Sequence, residues 1–304
     1  MGRVLVTGSS GFIGSNLCQE LVRRGHEVHG VDIDPPEFDL PESVNTFQAD
    51  LTNEPELPDL DVIVHLAAHS QVQPVVADPS LALENVKMTQ HVLNEAERMD
   101  AAVINASSRD VYGAEIQPTE DEVTPDSPNG YAASKLSSEA FVNAYRHTRD
   151  VSVTSLRLAN VYGPRDLNPR VIPIFIALAD AGEDLTVYGE GKLLDFVHVG
   201  DVCEAFCAAI NRIEAVNGEI FNIGSGRGVQ LSDIAETITT AVDSDSTWMI
   251  SNDRKGDVER YVADTSKTEA ALDIRMDTEL DKGLANTIEW YRSQPEVLST
   301  LRSE

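Results

Sequence analysis

The chain has 304 residues, of which 51 are acidic and 23 basic, so its formal net charge is −28 at pH 7. This charge, with no basic stripe, argues against binding to nucleic acid or an anionic membrane surface, and the lack of a long apolar run excludes a transmembrane helix. The three cysteines form no Cys-x-x-Cys pair and the seven histidines show no metal-ligand spacing, so we expect no disulfide and no metal site.

The first predicted element is a short apolar strand, Arg3–Thr7, which is followed by glycines at Gly8, Gly11 and Gly14. We expect the chain to turn on these glycines and to begin a helix, so that backbone N–H groups can bind a pyrophosphate. Asp32 ends the next predicted strand, where a carboxylate accepts both ribose hydroxyls of adenosine and repels a 2′-phosphate. This context favours NAD over NADP, and a nucleotide-binding turn over an ordinary glycine-rich one.

Strands and helices alternate through the first half of the chain. The predicted strands are Arg3–Thr7, Glu27–Asp32, Asn45–Gln48, Val62–Leu66, Ala102–Ala106 and Val153–Leu158. The predicted helices between them are Gly11–Arg24, Pro79–Met99 and Tyr131–His147. Such alternation is typical of βαβ units and predicts an α/β fold with a doubly wound parallel sheet of the Rossmann type for residues 1–160.

The pattern changes after about residue 160, where glycine-bearing turns interrupt the alternation. Further helices are predicted at Val171–Ala181, Leu231–Val242, Ser266–Leu272 and Thr278–Arg292. We expect residues 161–304 to form a smaller α/β substrate-binding lobe, with parts of 195–224 packing back onto the first domain.

Tyr131 and Lys135 are four residues apart at the start of a predicted helix, so their side chains share one face. A free tyrosine titrates at about pH 10, but a lysine ammonium and the positive nicotinamide ring both favour the phenolate. Tyr131 can then take a hydroxyl proton while the adjacent carbon passes a hydride to NAD⁺. Ser108 follows a buried strand at the sheet edge where ligands bind, and its hydroxyl can position the reacting oxygen.

Taken together, the ordered motifs resemble the extended short-chain dehydrogenase/reductases, and within them the nucleotide-sugar epimerase/dehydratase group typified by UDP-glucose 4-epimerase. The matching segments are Thr7-Gly-Ser-Ser-Gly-Phe-Ile-Gly14, Asp32, Asp50-Leu51, His65-Leu-Ala-Ala68, Asn85-Val86, Ser107-Ser108 with Val111-Tyr112-Gly113, Tyr131 to Lys135, Arg157 through Asn160-Val-Tyr-Gly-Pro164, Phe221-Asn-Ile-Gly224, and Arg254 through Gly256-Asp257. They cover nearly the whole chain, and so many motifs in order are specific although each one alone is weak.

The resemblance implies a role for each matching residue. It assigns catalysis to Ser108, to Tyr131 as the base, and to Lys135 as its electrostatic partner and a ligand of the nicotinamide ribose. It assigns NAD binding to Gly8, Gly11, Phe12, Ile13, Gly14, Asp32, Asp50, Leu51, Leu66, Ala67, Ala68, Asn85, Tyr131 and Lys135. It assigns binding of the nucleotide-sugar substrate to Ser108, Asn160 and Arg254. The helices that carry Asn85 and Tyr131 resemble those that form a dimeric four-helix bundle in relatives, so we expect a homodimer.

The chain departs from the family pattern at two places that bear on function. Leu194 stands where many relatives have an arginine, so the substrate diphosphate has one cation fewer, and Arg165, Arg170 and Arg254 are the candidates to replace it. Arg109 stands beside Asp110 where dehydratases of the family place two acids. Arginine cannot act as an acid or base at neutral pH, so dehydration is disfavoured.

The sequence therefore favours NAD-dependent epimerisation of a nucleotide-diphosphate sugar at C4, through a 4-keto intermediate. Three alternatives on the same scaffold are a dehydratase, a decarboxylase and a net sugar dehydrogenase, and Asp110 matches a glutamate of relatives that dehydrate or decarboxylate. A fourth alternative is a non-catalytic NAD-binding sensor, although such proteins commonly lose the pair that Tyr131 and Lys135 form.

Two expectations concern the cellular environment. The N-terminus leads straight into the first predicted strand and leaves no room for a signal peptide, so we expect a cytoplasmic protein. Acidic residues are spread along the whole chain and only six residues are lysine. This composition is typical of halophilic proteins, because the Debye length falls to about 3 Å in 1 M salt and self-repulsion is screened.

Overall fold

The computed structural model describes residues 2–123, 126–252 and 259–303. Its strands are β1 (Arg3–Thr7), β2 (Glu27–Asp32), β3 (Val44–Gln48), β4 (Val62–His65), β5 (Ala102–Ser108), β6 (Val153–Leu158), β7 (Asn160–Tyr162), β8 (Leu185–Tyr188), β9 (Leu193–His198), β10 (Ile220–Ile223), β11 (Gly228–Gln230), β12 (Trp248–Ser251) and β13 (Arg260–Tyr261). Its helices are α1 (Phe12–Arg23), α2 (Val72–Ala77), α3 (Ser80–Met99), α4 (Gly130–Arg149), α5 (Val171–Asp180), α6 (Val199–Asn211), α7 (Leu231–Val242), α8 (Ser266–Leu272), α9 (Leu280–Arg292) and α10 (Pro295–Leu301).

The centre of the fold is a sheet that has seven strands within the described residues, in the order β10-β6-β5-β4-β1-β2-β3. Every neighbouring pair in it is parallel. The chain runs outward in one direction from β1 to β3 and in the other from β4 onward, so the direction of winding reverses between β1 and β4. In such sheets ligands bind at this reversal, outside the carboxyl ends of the strands. The predicted Rossmann fold is confirmed.

The apolar strands are buried on both faces, as parallel sheets require. Side chains alternate along β1, so Val4 and Val6 pack into one hydrophobic cluster with α1 and α6, and Leu5 packs into another with α3 and α4. All three side chains are fully buried, and each contributes about 1.5–3 kcal/mol by leaving water. These two clusters hold the helices on either side of the sheet and position the ends of β1, β4 and β5.

The second half of the chain contributes both to this sheet and to structure outside it. Strand β10 pairs with β6 and extends the central sheet, although it lies beyond residue 160. A third hydrophobic cluster joins α5, α7 and α9. The division into domains at residue 160 stays an interpretation. Within the described residues, no helix combines the length and the apolar character that crossing a membrane requires.

No bounds were predicted for α6, which has thirteen residues, or for β9, which has six. The other elements that were not predicted are short. Helix α2 has six residues, α10 has seven, and β7, β11 and β13 have two or three each. Segments of this length contain too few residues for a helical or strand period to be recognised, and tertiary contacts decide their conformation.

Candidate active site

The turn between β1 and α1 has no room for a side chain at Gly8 or Gly14. Gly8 has a φ of +71°, and a Cβ on it would lie 2.9 Å from the backbone nitrogen of Ala67. A Cβ on Gly14 would collide with the carbonyl group of Gly8. Helix α1 begins at Phe12 and no side chain caps it, so its first N–H groups remain available to a ligand. This cradle fits a pyrophosphate group.

Asp32 lies at the carboxyl end of β2, beside this glycine turn. Its carboxylate accepts hydrogen bonds from the backbone nitrogens of Ser10, at 2.9 Å, and Asp34, at 3.2 Å. These two bonds orient the carboxylate and leave lone pairs on both oxygens, since a carboxylate has about four acceptor sites. The geometry is consistent with the predicted contact to ribose hydroxyls, which stays a prediction.

The end of β4 is joined to the end of β1 by Thr7, which was not among the predicted site residues. Its Oγ1 accepts hydrogen bonds from the backbone nitrogens of Leu66 and Ala67, each at 3.1 Å, and it pairs with His65 Nδ1 at 2.9 Å. The loop that contains Leu66, Ala67 and Ala68 is thereby held against the glycine turn. A threonine at a strand end has no distinctive sequence signature, which is why this role was missed.

Three side chains that were expected to bind NAD pack against or hydrogen-bond to other residues of the protein. Leu51 is buried in the cluster that packs under β1. Asp50 caps a short 3-10 turn by accepting from the backbone nitrogen and hydroxyl of Thr52, at 2.8 and 2.6 Å. Asn85 is buried, accepts from the backbone nitrogen of His69 at 2.7 Å, and donates to Ser134 Oγ at 3.1 Å. The structure therefore shows these side chains shaping the loops around the cleft, and their contact with NAD stays a prediction.

Ser108, Tyr131 and Lys135 belong to two elements that pack together at the carboxyl edge of the sheet. Helix α4 is capped by Asn129, whose side chain accepts from the backbone nitrogen of Ala132 at 2.9 Å, and Tyr131 lies in its first turn. Lys135 Nζ lies 5.8 Å from the centre of the Tyr131 ring. Ser108 ends β5, and the 3-10 turn that follows it packs against α4. The structure thus brings the three predicted catalytic residues together.

Burial shifts the pKa values of Tyr131 and Lys135. It raises the pKa of Tyr131 to about 12, and the neighbouring carboxylate of Asp110 acts in the same direction. The Ser108 hydroxyl and two guanidinium groups, those of Arg170 and Arg109, oppose this rise. Burial also lowers the pKa of Lys135 to about 8.

This result differs from the expectation that Lys135 lowers the pKa of Tyr131. The Lys135 ammonium donates to the carbonyl oxygen of Ala106 at 2.9 Å, and it is not among the main groups that lower the pKa of the phenol. The protein groups alone therefore keep Tyr131 protonated at neutral pH, and the charge that favours the phenolate in our reasoning is that of the nicotinamide ring.

Asn160, which was predicted to contact the substrate, lies in β7 and donates to the backbone oxygen of Asp195 at 2.8 Å. Asp195 is fully buried in β9 and accepts from the backbone nitrogens of Ser225, Gly226 and Ala263 at 2.8–3.1 Å. Burial nevertheless raises the pKa of this carboxyl group. Asp195 thus anchors the turn after β10, a role for which the only sequence signal was an acid within an apolar strand.

Three arginines, Arg165, Arg170 and Arg254, were the candidates to replace the arginine that is absent at position 194. Leu194 is partly buried and packs against the hydrophobic clusters. Arg165 lies over the Phe38 ring, with Cζ 5.7 Å from its centre. Arg170 precedes α5, and its charge reaches the Tyr131 phenol. Arg254 lies outside the described residues. Arg170 is therefore the one described candidate that the structure places near the catalytic group.

No group of three or more His, Cys, Asp or Glu residues in the described part of the chain is arranged to hold a metal ion. The three cysteines are buried and unpaired, and burial raises the pKa of Cys18 to about 12. These thiols are therefore packed in the core and remain protonated at neutral pH.

Comparison with known proteins adds to this geometry. The chain is 32% identical to the UDP-glucose 4-epimerase of Mycolicibacterium smegmatis, with 96% of this chain and 99% of the relative covered. It is 30% identical to a dTDP-glucose 4,6-dehydratase of an Actinoplanes strain, with 96% and 98% covered. It is also similar to a solved structure, MoeE5 in complex with UDP-glucuronic acid and NAD, with 32% identity, a TM-score of 0.87, and 96% and 99% of the two chains covered.

The glycine cradle, the oriented Asp32 carboxylate and the group around Tyr131 all lie along one edge of a Rossmann sheet, where NAD binds in such folds. Residues 4–224 match the sequence model described as the NAD dependent epimerase/dehydratase family. This chain therefore belongs to the NAD-dependent epimerase/dehydratase family, and its cofactor is NAD.

Proposed function

We propose that the protein epimerises a nucleotide-diphosphate sugar at C4 through a 4-keto intermediate, as UDP-glucose 4-epimerases do. The observation that carries this proposal is that Ser108, Tyr131 and Lys135 meet at the carboxyl edge of the sheet. The similarity to both epimerases and dehydratases supports the substrate class but leaves the reaction open.

The residues divide the chemistry between them. Tyr131 takes the proton of the C4 hydroxyl and later returns it, while the Ser108 hydroxyl holds the same oxygen in place. Lys135, anchored to the carbonyl of Ala106, would bind the nicotinamide ribose beside the phenol. When bound, NAD would supply reversible hydride chemistry at C4, so that the net reaction is redox-neutral. The glycine cradle and Asp32 would hold it.

Arg109 is the reason to prefer epimerisation to dehydration. Removing water across C5 and C6 requires a base for the C5 proton and an acid for the C6 hydroxyl. Of the two positions beside Ser108, Asp110 can serve in one of these roles, but an arginine such as Arg109 cannot act as an acid or base at neutral pH. The described residues therefore provide half of the pair that dehydration needs at this position.

The test is a panel of UDP-, GDP- and dTDP-sugars, both neutral hexoses and uronic acids, incubated with the NAD-loaded protein and resolved by NMR. We expect a C4 epimer as the product and no net rise in NADH absorbance. A 4-keto-6-deoxy sugar, released CO₂ or accumulating NADH would instead identify a dehydratase, a decarboxylase or a dehydrogenase. If NAD binds but no sugar is converted, the protein is a sensor and not an enzyme.

We further propose that the protein is a homodimer that pairs α3 and α4 of each chain. These helices pack against each other, and Leu83 on α3 is 73% exposed, which leaves a large apolar side chain in water. Light scattering is expected to give twice the mass of one chain, and Leu83→Asp should give a monomer. Met249→Asp, on the exposed strand β12, is the matched control and should remain dimeric. A monomeric wild-type protein would contradict the proposal.

A further inference from the structure

Arg109 has an incompletely paired guanidinium group at the edge of the catalytic cluster. It follows Ser108 directly and opens the 3-10 turn at Arg109–Tyr112, and its side chain is only 16% exposed. Its Nε lies 3.5 Å from Asp110 Oδ1, and its Cζ lies 5.6 Å from the centre of the Tyr261 ring. Among the described residues the guanidinium donates no hydrogen bond. Since an arginine carries five N–H donors, most of them remain available.

A second buried arginine near this site, Arg157, is hydrogen-bonded to other side chains. Arg157 donates to both carboxylate oxygens of Glu139, at 2.9 and 2.8 Å, and to the hydroxyl of Tyr112 at 2.8 Å. A cation that is kept from water without partners costs free energy, which is why such groups are normally paired. Arg109 departs from this rule at a site that binds a ligand, and a ligand group can provide the partner.

Three anionic groups are available in a complex of this enzyme. The NAD pyrophosphate would bind at the glycine cradle after β1. This cradle is separated by β4 from β5, the strand that Arg109 follows. The substrate diphosphate was assigned to the region of Asn160 in β7. The third is a charged substituent on the sugar, next to the carbon whose oxygen Ser108 and Tyr131 hold. Arg109 adjoins Ser108, and its charge reaches the Tyr131 phenol, so it lies closest to this third group.

We propose that Arg109 binds a carboxylate on C5 of the sugar, so that the preferred substrate is a nucleotide-diphosphate uronic acid and not a neutral hexose. This inference rests on the proposed function, because it requires the C4 oxygen to lie between Ser108 and Tyr131. A guanidinium matches a carboxylate in two parallel hydrogen bonds, whereas a hydroxymethyl group offers a single weaker acceptor.

The charges around the phenol agree with an anionic substituent. Asp110 would repel a carboxylate, but its closest approach to Arg109 is to Nε, which leaves the outer edge of the guanidinium free. Two guanidinium groups, those of Arg109 and Arg170, act on the Tyr131 phenol against the single carboxylate of Asp110, although Arg170 also lies 4.0 Å from Asp166. The balance favours a bound anion over a neutral group.

The experiment measures binding without turnover. The NAD-loaded Tyr131→Phe protein is titrated by calorimetry with UDP-glucuronic acid and UDP-glucose, with the dTDP pair in parallel. We expect the uronate to bind about tenfold or more tightly than the hexose, which is the scale of one charge-assisted pair. Adding Arg109→Gln should abolish this preference and leave hexose binding within about twofold. Arg109→Lys keeps the positive charge but cannot form the two parallel hydrogen bonds, and it should keep part of the preference for the uronate.

Arg149→Gln is the matched control, because it removes one positive charge from an exposed pair with Glu97 and should leave the preference intact. Equal affinity for the two sugars in the parent protein would overturn the inference. If Arg109→Gln weakens binding of the uronate and of the hexose equally, the guanidinium binds the diphosphate. This result would overturn the inference as well. If NAD binds but neither sugar nucleotide does, the proposed function itself fails.

Discussion

Lys135 Nζ lies 5.8 Å from the centre of the Tyr131 ring, one turn further along α4, and donates to the carbonyl oxygen of Ala106 on β5. This single hydrogen bond connects the helix that carries the base to the strand that ends in Ser108. The relative position of Ser108, Tyr131 and Lys135, the three proposed catalytic residues, is therefore set by contact between two elements of the core.

Replacing Tyr131 with phenylalanine should abolish turnover, because it removes the oxygen that exchanges a proton with the substrate. General base catalysis contributes about 10²- to 10⁴-fold, so we expect kcat to fall by at least that factor. NAD affinity, measured by fluorescence titration, should change little, since the glycine cradle follows β1, which is separated by β4 from the strand that ends in Ser108. Full activity in this variant would refute the proposed mechanism.

Activity should decline as the pH rises through about 8, because burial lowers the pKa of Lys135 to about 8 and the ammonium that we expect to bind the nicotinamide ribose is lost above that value. The measurement is kcat/KM between about pH 6 and 10, with the stability of the protein checked at each pH. Lys135→Met should have low activity with no alkaline limb at that position. An alkaline limb above about pH 10 in the wild-type protein would show that the ammonium persists or is not needed.

Stability should fall in mild acid because of His65. This ring is fully enclosed between Thr7 and Thr89, and burial lowers its pKa to about 3. The unfolded chain takes up a proton below about pH 6.5 that the folded protein does not accept, so the free energy of unfolding decreases as the pH falls. From about pH 7 to 5 the loss is about 2 kcal/mol.

Urea denaturation at the two pH values tests this expectation. His65→Gln keeps a hydrogen-bonding side chain but cannot be protonated, so it should remove that part of the pH dependence. His147→Gln alters an exposed histidine and should behave as the wild-type protein does. Identical pH dependence in all three proteins would show that His65 is not the source.

The ion pair between Arg157 and Glu139 should be important for stability. Their side chains are only 3% and 6% exposed, so removing one partner leaves a buried, uncompensated charge. We expect Glu139→Gln to lower the free energy of unfolding by about 3–5 kcal/mol. Glu97→Gln breaks the exposed pair with Arg149 and should cost about 0–1 kcal/mol. Similar losses in the two variants would contradict this contrast.

The protein should be more stable in concentrated salt. Its net charge of −28 produces self-repulsion, which salt screens. We expect the Tm to rise between dilute buffer and about 1 M KCl, where the Debye length is about 3 Å. Repeating the scan in KCl and in sucrose separates charge screening from general exclusion of a cosolute. A Tm that does not rise with KCl would remove the halophilic hypothesis.

Much of the fold could be predicted because its signals are local. The strands Arg3–Thr7, Glu27–Asp32 and Val153–Leu158 have the predicted bounds, since buried parallel strands are continuous apolar runs between turn residues. The spacing of Tyr131 and Lys135 likewise identifies a shared helical face without any knowledge of the rest of the chain.

Other features depend on residues that are distant in the chain. Thr7 meets Leu66 because β1 and β4 are neighbouring parallel strands, and Asp195 meets Ala263 because β9 pairs with β13. No local sequence pattern records either contact. The same holds for the burial of Leu51 in the core.

The sequence by itself determined the glycine turn, the parallel sheet and the shared helical face of Tyr131 and Lys135, because glycine spacing, apolar runs and helical periodicity are properties of neighbouring residues. Only the tertiary structure decided that burial raises the pKa of Tyr131 above that of a free tyrosine, and that Arg109 lies beside the site with few partners. Protonation and pairing depend on desolvation and on charges from several elements, and these exist only once the chain has folded.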